Sequence, residues 1–129
     1  MKQEEHKIQV AIVNYCKYNR IPIFAIPNGG HRYYSVAIKL KKEGVVSGVA
    51  DLFIYQPNNQ YSGLFIEVKY GYNKQSENQK IFEKNVKELG YQYKLVYSLD
   101  EFIEVYGEYR TNGIPKKNEG DLPILGNDL

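Results

Sequence analysis

The chain opens with a stretch whose apolar residues recur at helical spacing. Over residues 3–18 apolar positions return every three or four residues, and Pro22 sets the limit beyond which the helix cannot continue. On a helical wheel of 3.6 residues per turn, Glu5 and Gln9 fall on the same stripe as the apolar residues. The pattern predicts an N-terminal helix that carries two polar side chains toward the core, where they need partners.

Later stretches have the β-branched and alternating residues typical of strands. The second and third of them flank a segment rich in turn residues, at 57–61, which indicates a β-hairpin. The first is followed by an Asn-Gly-Gly turn. Strands are predicted at residues 21–27, 48–56, 63–70 and 91–98.

Three further helices are predicted between and after these strands. Helical spacing and a terminal Gly44 indicate a short one at residues 35–43. Ser76-x-x-Gln79 has the form of a capping box and begins the next, and Asp100 is predicted to cap a last helix that ends near Tyr106. The order of elements predicts an α/β domain over residues 1–108, with helices around one mixed sheet, followed by an irregular tail at 109–129.

The predicted hairpin brings two acidic residues together. A loop centred on Asn59 pairs residues whose numbers sum to 118, and this sets Asp51 opposite Glu67. Because side chains alternate along a strand, Lys69 shares a face with Glu67. A slip of one residue in the register would place the two carboxylates on opposite faces.

Two opposed carboxylates either share a proton or hold a cation. Oxygen ligands without cysteine favour Mg²⁺ or Mn²⁺ over zinc. The alternative is a solvated strand face on which Asp51 and Glu67 are ordinary surface charges. Both strands are otherwise strongly apolar, which favours burial, and a buried charge usually pairs or coordinates.

Composition narrows the class of protein. The 129 residues suit one domain, and 43% apolar with 25% charged residues is typical of a globular chain. Cys16 is the single cysteine, so a disulfide or cysteine zinc cluster within the chain is excluded. His6 and His31 lack a second histidine at ligand spacing. The charged N-terminus and the absence of long apolar runs predict no signal peptide or membrane span, and a cytoplasmic location is expected.

The net charge of +2 is too small to indicate a polyanionic partner, but its distribution is uneven. Between residues 31 and 44 there are Arg32, Lys39, Lys41 and Lys42 against a single acidic residue, Glu43. This segment could face phosphates, or it could be a solvated helix face.

The turn before the basic segment is a second candidate for phosphate binding. Exposed backbone N–H groups together with an arginine suit an anion, although a plain turn is the alternative. Its residues are Asn28, Gly29, Gly30, His31 and Arg32.

Taken together and in order, several motifs resemble the virus-type replication-repair nuclease (VRR-NUC) domain of the PD-(D/E)xK nuclease superfamily. The resemblance covers about residues 4–106, and the stand-alone phage and bacterial members are the most similar kind. Ala50 stands where the superfamily name implies proline, at a position that offers no ligand side chain. The motifs are Glu5 with Gln9, Ile26-Pro27-Asn28-Gly29-Gly30, Gly48-Val49-Ala50-Asp51-Leu52, Ile66-Glu67-Val68-Lys69, Ser76-x-x-Gln79 and Gly90-Tyr91.

The resemblance implies a DNA endonuclease that depends on Mg²⁺ or Mn²⁺. By similarity, Asp51, Glu67 and the carbonyl of Val68 would bind the metal, and Lys69 would orient or deprotonate the attacking water. Glu5 and Gln79 would line the same site. The resemblance also implies a homodimer that acts on branched DNA such as a Holliday junction, in a bacterial or phage-infected cell.

Other interpretations stay open at this stage. Gln79 can serve only its capping box, and Glu5 can be a favourable acidic residue in a first helical turn. The whole chain can be a nucleic-acid-binding or assembly module without activity, or a hydrolase of small phosphate esters.

Overall fold

The computed structural model describes residues 2–27 and 34–111. The order of elements is the predicted one, with strands shorter than predicted. None of the helices in these two ranges combines the length and hydrophobicity needed to cross a membrane. The elements are α1 (Lys2–Tyr18), β1 (Ile23–Ala25), α2 (Tyr34–Lys42), β2 (Leu52–Ile54), β3 (Leu64–Val68), α3 (Glu77–Glu88), β4 (Gln92–Val96) and α4 (Leu99–Thr111).

The four strands form one mixed sheet in the order β1-β2-β3-β4. β1 and β3 each run antiparallel to β2, whereas β3 and β4 are parallel. Between β2 and β3, Leu52 pairs with Ile66 and Phe53 with Phe65, so paired numbers sum to 118. The predicted register of the hairpin is confirmed, and the fold class is the predicted α/β arrangement.

Both faces of the sheet are covered, because β3 sends alternate side chains to two cores. Leu64 and Ile66 pack on one face against buried residues of the first and last helices, including Ile12 and Phe102. On the other face Phe65 packs edge-on against Phe82 of α3, with ring centroids 5.1 Å apart. The molecule therefore has three layers, with α1 and α4 on one side of the sheet and α3 on the other.

The short helix α2 is exposed along nearly its whole length and has no buried residue. A groove of about 810 Å³ separates the end of α2 and the segment after it from α3. Leu40, Val45 and Ile81 are among the side chains that line this groove. The basic residues at the end of α2 are therefore accessible from solvent.

The last helix differs from its prediction at both ends. The hydroxyl of Ser98 accepts the N–H of Glu101 at 3.1 Å, so Ser98 caps α4 and Asp100 lies in the first turn, contrary to the prediction. The helix continues to Thr111, and the predicted tail is therefore wrong for residues 109–111. Tyr109 is buried and its hydroxyl donates to the carbonyl of Gln56 at 2.6 Å, which stabilises the extra turn. The rest of the predicted tail lies outside the described residues.

Candidate active site

The structure brings Asp51 and Glu67 together where β2 begins and β3 ends. Asp51 directly precedes β2, and its Oδ2 accepts the main-chain N–H of Val68 at 2.8 Å. Glu67 is the fourth residue of β3 and is only 3% exposed. The alternative of a solvated strand face is therefore wrong for Glu67, which is a buried carboxyl group beside a second one.

Burial and mutual repulsion perturb both carboxyl groups. Loss of solvation, together with the nearby charge of Asp51, raises the pKa of Glu67 to about 8. Burial also raises the pKa of Asp51. Two buried carboxyl groups this close repel each other when both are ionised, which disfavours the doubly charged state. The pair is thus poised to share a proton or to exchange it for a cation.

Lys69 lies on the same face, two residues beyond Glu67, and is only 8% exposed. Its Nζ is 3.6 Å from Oε2 of Glu67 and donates to Oε1 of Gln79 at 2.8 Å. A buried ammonium group needs such partners because desolvation is costly. The lysine is therefore held beside the carboxylate pair with its position fixed from two directions.

Gln79 has both of the roles that the sequence left as alternatives. It occupies the third position of α3, and its Oε1 accepts the N–H of Ser76 at 2.9 Å, while its own N–H donates to the Ser76 hydroxyl at 3.2 Å. These two bonds complete the predicted capping box. In addition, its Nε2 donates to Oε2 of Glu67 at 2.9 Å. One side chain thus caps a helix and joins Glu67 to Lys69.

Glu5 reaches the site from the first turn of α1. It is partly buried, and its charge contributes to the raised pKa values of Asp51 and Glu67. Its Oε2 accepts a hydrogen bond from Nδ2 of Asn73 at 2.7 Å. Sequence reasoning missed Asn73, and no local pattern could have found it, since 68 positions separate it from Glu5.

A glycine allows the segment before Asp51 to approach α3 closely. Gly48 has φ of +90°, and a Cβ at this position would lie 2.5 Å from the backbone carbonyl of Asn78. Asn78 precedes Gln79 in the first turn of α3. The glycine therefore sets the spacing between the strand that carries Asp51 and the helix that carries Gln79.

The carboxylate oxygens of the pair are ligands that suit a hard divalent cation. Oε1 of Glu67 is buried and has no hydrogen-bond partner within the described part of the chain, which is costly unless a cation or proton satisfies it. Within residues 2–27 and 34–111 taken together, no group of three or more His, Cys, Asp or Glu side chains lies close enough to hold a metal. A cation here would therefore rely on Asp51 and Glu67 with backbone oxygens and water, a set compatible with Mg²⁺ or Mn²⁺.

Cys16 does not belong to this site. It is fully buried in the core beneath α1 and α4, on the opposite face of the sheet from Lys69. Burial raises the pKa of its thiol to about 12, so it stays protonated. A thiol in this state is a poor ligand and nucleophile.

The structure describes only some of the residues that were predicted to contact nucleic acid. Lys39, Lys41 and Lys42 are exposed in the last turn of α2. Asn28, Gly29, Gly30, His31 and Arg32 all lie outside the described residues.

No protein-family model matches the sequence, and no curated protein matches it significantly. Among solved structures, one described as a VRR_NUC domain protein superimposes with a TM-score of 0.71. The match covers 88% of this chain and 96% of the other, with 24% sequence identity. At this identity the likeness is one of fold. The chain therefore has the fold of that VRR-NUC domain protein, in agreement with the resemblance of its motifs.

Proposed function

We propose that the chain is a VRR-NUC nuclease that hydrolyses phosphodiester bonds of DNA with the help of Mg²⁺ or Mn²⁺. The observation that carries the proposal is the buried pair of Asp51 and Glu67, with Lys69 beside it. Oε1 of Glu67 has no hydrogen-bond partner among the described residues. A purely structural sheet gains nothing from two carboxyl groups at this depth, since both are desolvated. Strongly perturbed groups that adjoin one another are characteristic of functional sites.

In this proposal Asp51, Glu67 and the carbonyl of Val68 hold the cation. When bound, the cation neutralises charge on the phosphate and lowers the pKa of water. Glu67 must lose its proton first, and its raised pKa makes cation binding favoured by rising pH.

Lys69 and Gln79 are the other two side chains with roles in the proposed reaction. Lys69 Nζ can orient or deprotonate the attacking water and can stabilise the developing charge on the phosphate. Gln79 accepts from this lysine at 2.8 Å and donates to Glu67, so it fixes the position of the lysine beside the carboxylate. Preorganised partners of this kind avoid reorganisation during the reaction.

The finer features of the proposal are a branched DNA substrate and a homodimer. A single carboxylate pair cuts one strand at a time, so cutting two strands at a junction requires two copies related by symmetry. The exposed lysines of α2 offer contacts to the phosphate backbone outside the site.

The decisive experiment incubates the purified chain with a labelled four-way junction, a flap, a plain duplex and a single strand. Each is tested with Mg²⁺, Mn²⁺ or chelator, and light scattering gives the mass of the protein in solution. Cleavage that requires the cation and is abolished in Asp51→Asn supports the proposal. Cation-independent binding without cleavage of any substrate would instead indicate a non-catalytic binding module.

A further inference from the structure

One tertiary contact near the site is not part of the proposed chemistry. Asn73 lies in the loop between β3 and α3, and its Nδ2 donates to Oε2 of Glu5 at 2.7 Å. The contact joins that loop to the first turn of α1. It therefore restrains the side chain of Glu5.

The backbone of Asn73 is itself fixed at two points. Its N–H donates to the carbonyl of Tyr70 at 3.1 Å, across a turn in which Gly71 has φ of +62°. Its carbonyl accepts the hydroxyl of Tyr97 at 2.9 Å. Tyr97 directly follows β4, and its N–H donates to the Glu101 side chain at 3.0 Å. The main chain of Asn73 is thus anchored to the junction of β4 and α4.

An amide is the right kind of group to hold a carboxylate near a cation site. It donates a hydrogen bond without neutralising the negative charge, whereas lysine or arginine would cancel that charge. Glu5 stands in the first turn of a helix, where an unrestrained side chain would turn toward solvent. The negative charge of Glu5 contributes to the raised pKa of Asp51 and of Glu67. Fixing Glu5 in place therefore makes the electrostatic potential at the pair more negative.

We infer that Asn73 is a positioning residue that acts through Glu5 to strengthen the binding of a divalent cation at Asp51 and Glu67. Tyr97 supports it by fixing the carbonyl of Asn73. The inference rests on the proposed function, since it requires a cation at the carboxylate pair. It adds a partner of the outer shell that orients a side chain around the metal.

The test is a calorimetric titration of the full 129-residue chain with Mn²⁺ alone. Asn73→Ala is expected to weaken Mn²⁺ binding by about tenfold, as is usual when an outer-shell partner is removed. Asn73→Asp should weaken it further, because a second carboxylate repels Glu5. In a Glu5→Gln background, Asn73→Ala should weaken binding no further, since Asn73 acts only through Glu5.

The outcomes separate this inference from the proposed function. Equal Mn²⁺ affinity in Asn73→Ala and wild type, or effects that simply add in the double variant, would overturn the role of Asn73 alone. A wild-type chain that binds no Mn²⁺ would overturn the proposed function and this inference with it. Should Asn73→Ala fail to fold by circular dichroism, Tyr97→Phe decides, with weaker Mn²⁺ binding expected and unchanged affinity contradicting the role.

Discussion

Nε2 of Gln79 donates to Oε2 of Glu67 over 2.9 Å, although Gln79 lies in the first turn of α3 and Glu67 lies in the strand β3. The same carboxamide accepts from Ser76 and from Lys69. The cap of α3 and the candidate active site are therefore one hydrogen-bond network.

The two functions of Gln79 can be separated with a matched pair of variants. Gln79→Ala should lower the stability by at least about 1 kcal/mol, because the cap is removed and the buried groups of Lys69 and Glu67 lose a partner. It should also slow DNA cleavage by about tenfold or more, because Lys69 and Glu67 lose the partner that orients them. Ser76→Ala removes the hydroxyl of the cap and keeps these two contacts.

Melting temperatures and cleavage rates of both variants check this prediction. Ser76→Ala is expected to lower the melting temperature less than Gln79→Ala and to keep most of the cleavage activity. Equal activity in the two variants would mean that Gln79 serves the helix alone.

Stability should depend on pH in a direction set by Glu67. Its folded-state pKa of about 8 exceeds the ordinary value of 4.5, so the native state binds more protons than the unfolded chain between these values. In chelator, the contribution of Glu67 is thus complete below about pH 4.5 and is lost as the pH rises through 8. The charges around it are Asp51, Lys69 and Glu5, and the raised pKa of Asp51 acts in the same direction.

Thermal melting between pH 5 and pH 8.5 measures this dependence, with a fall of about 5 °C or more expected for a shift of this size. Glu67→Gln should flatten the profile, because glutamine does not titrate. Mn²⁺ should restore stability chiefly at high pH, where the carboxyl groups are ionised. A profile that is identical in Glu67→Gln and wild type would contradict the assignment.

Gly48 offers a test of the close packing between the Asp51 segment and α3. Gly48→Ala places a methyl group against the backbone of Asn78, in addition to the strain of a positive φ. Gly44→Ala is the control, since Gly44 has φ of +102° with nothing within 4 Å of the added Cβ. Gly48→Ala is expected to lose at least about 1 kcal/mol more than Gly44→Ala in denaturant unfolding. Equal destabilisation would show that conformational strain is the whole cost.

The lysines of α2 should contribute to DNA binding through the phosphate backbone. Replacing Lys39, Lys41 and Lys42 by glutamine should make the slope of log K against log salt shallower by about 0.7–0.9 for each phosphate that is no longer neutralised. Lys17→Gln is a control, because Lys17 is an exposed lysine in the last turn of α1, outside the basic segment of α2. Fluorescence anisotropy at several salt concentrations provides the measurement. An unchanged slope in the triple variant would exclude α2 from the DNA-binding surface.

Local patterns were enough to predict the hairpin, because the loop centre at Asn59 fixes every pair of a short antiparallel ladder. The positions of Glu67 and Lys69 on one face follow from that register. The capping box at Ser76 likewise depends on residues three positions apart. The carboxylate pair could therefore be predicted because it depends on interactions between residues that are close in the sequence.

Interactions between distant parts of the chain could not be predicted in this way. Ser98 and Asp100 are both good capping residues, and only the packed position of α4 selects Ser98. The extra turn of α4 depends on Tyr109 reaching Gln56, which lies in another part of the chain. The contact of Asn73 with Glu5 has the same character, since its partners meet only after α1 has docked.

The shared face of α1 and α4 has a consequence for synthesis of the chain. Ile12 near the start and Phe102 near the end occupy one core with Ile66, so this core cannot close until α4 has left the ribosome. Until then the face of β3 that carries Leu64 and Ile66 lacks part of its cover, while the face that carries Glu67 can already pack against α3. A nascent chain therefore exposes apolar surface of β3 until α4 has emerged and docked.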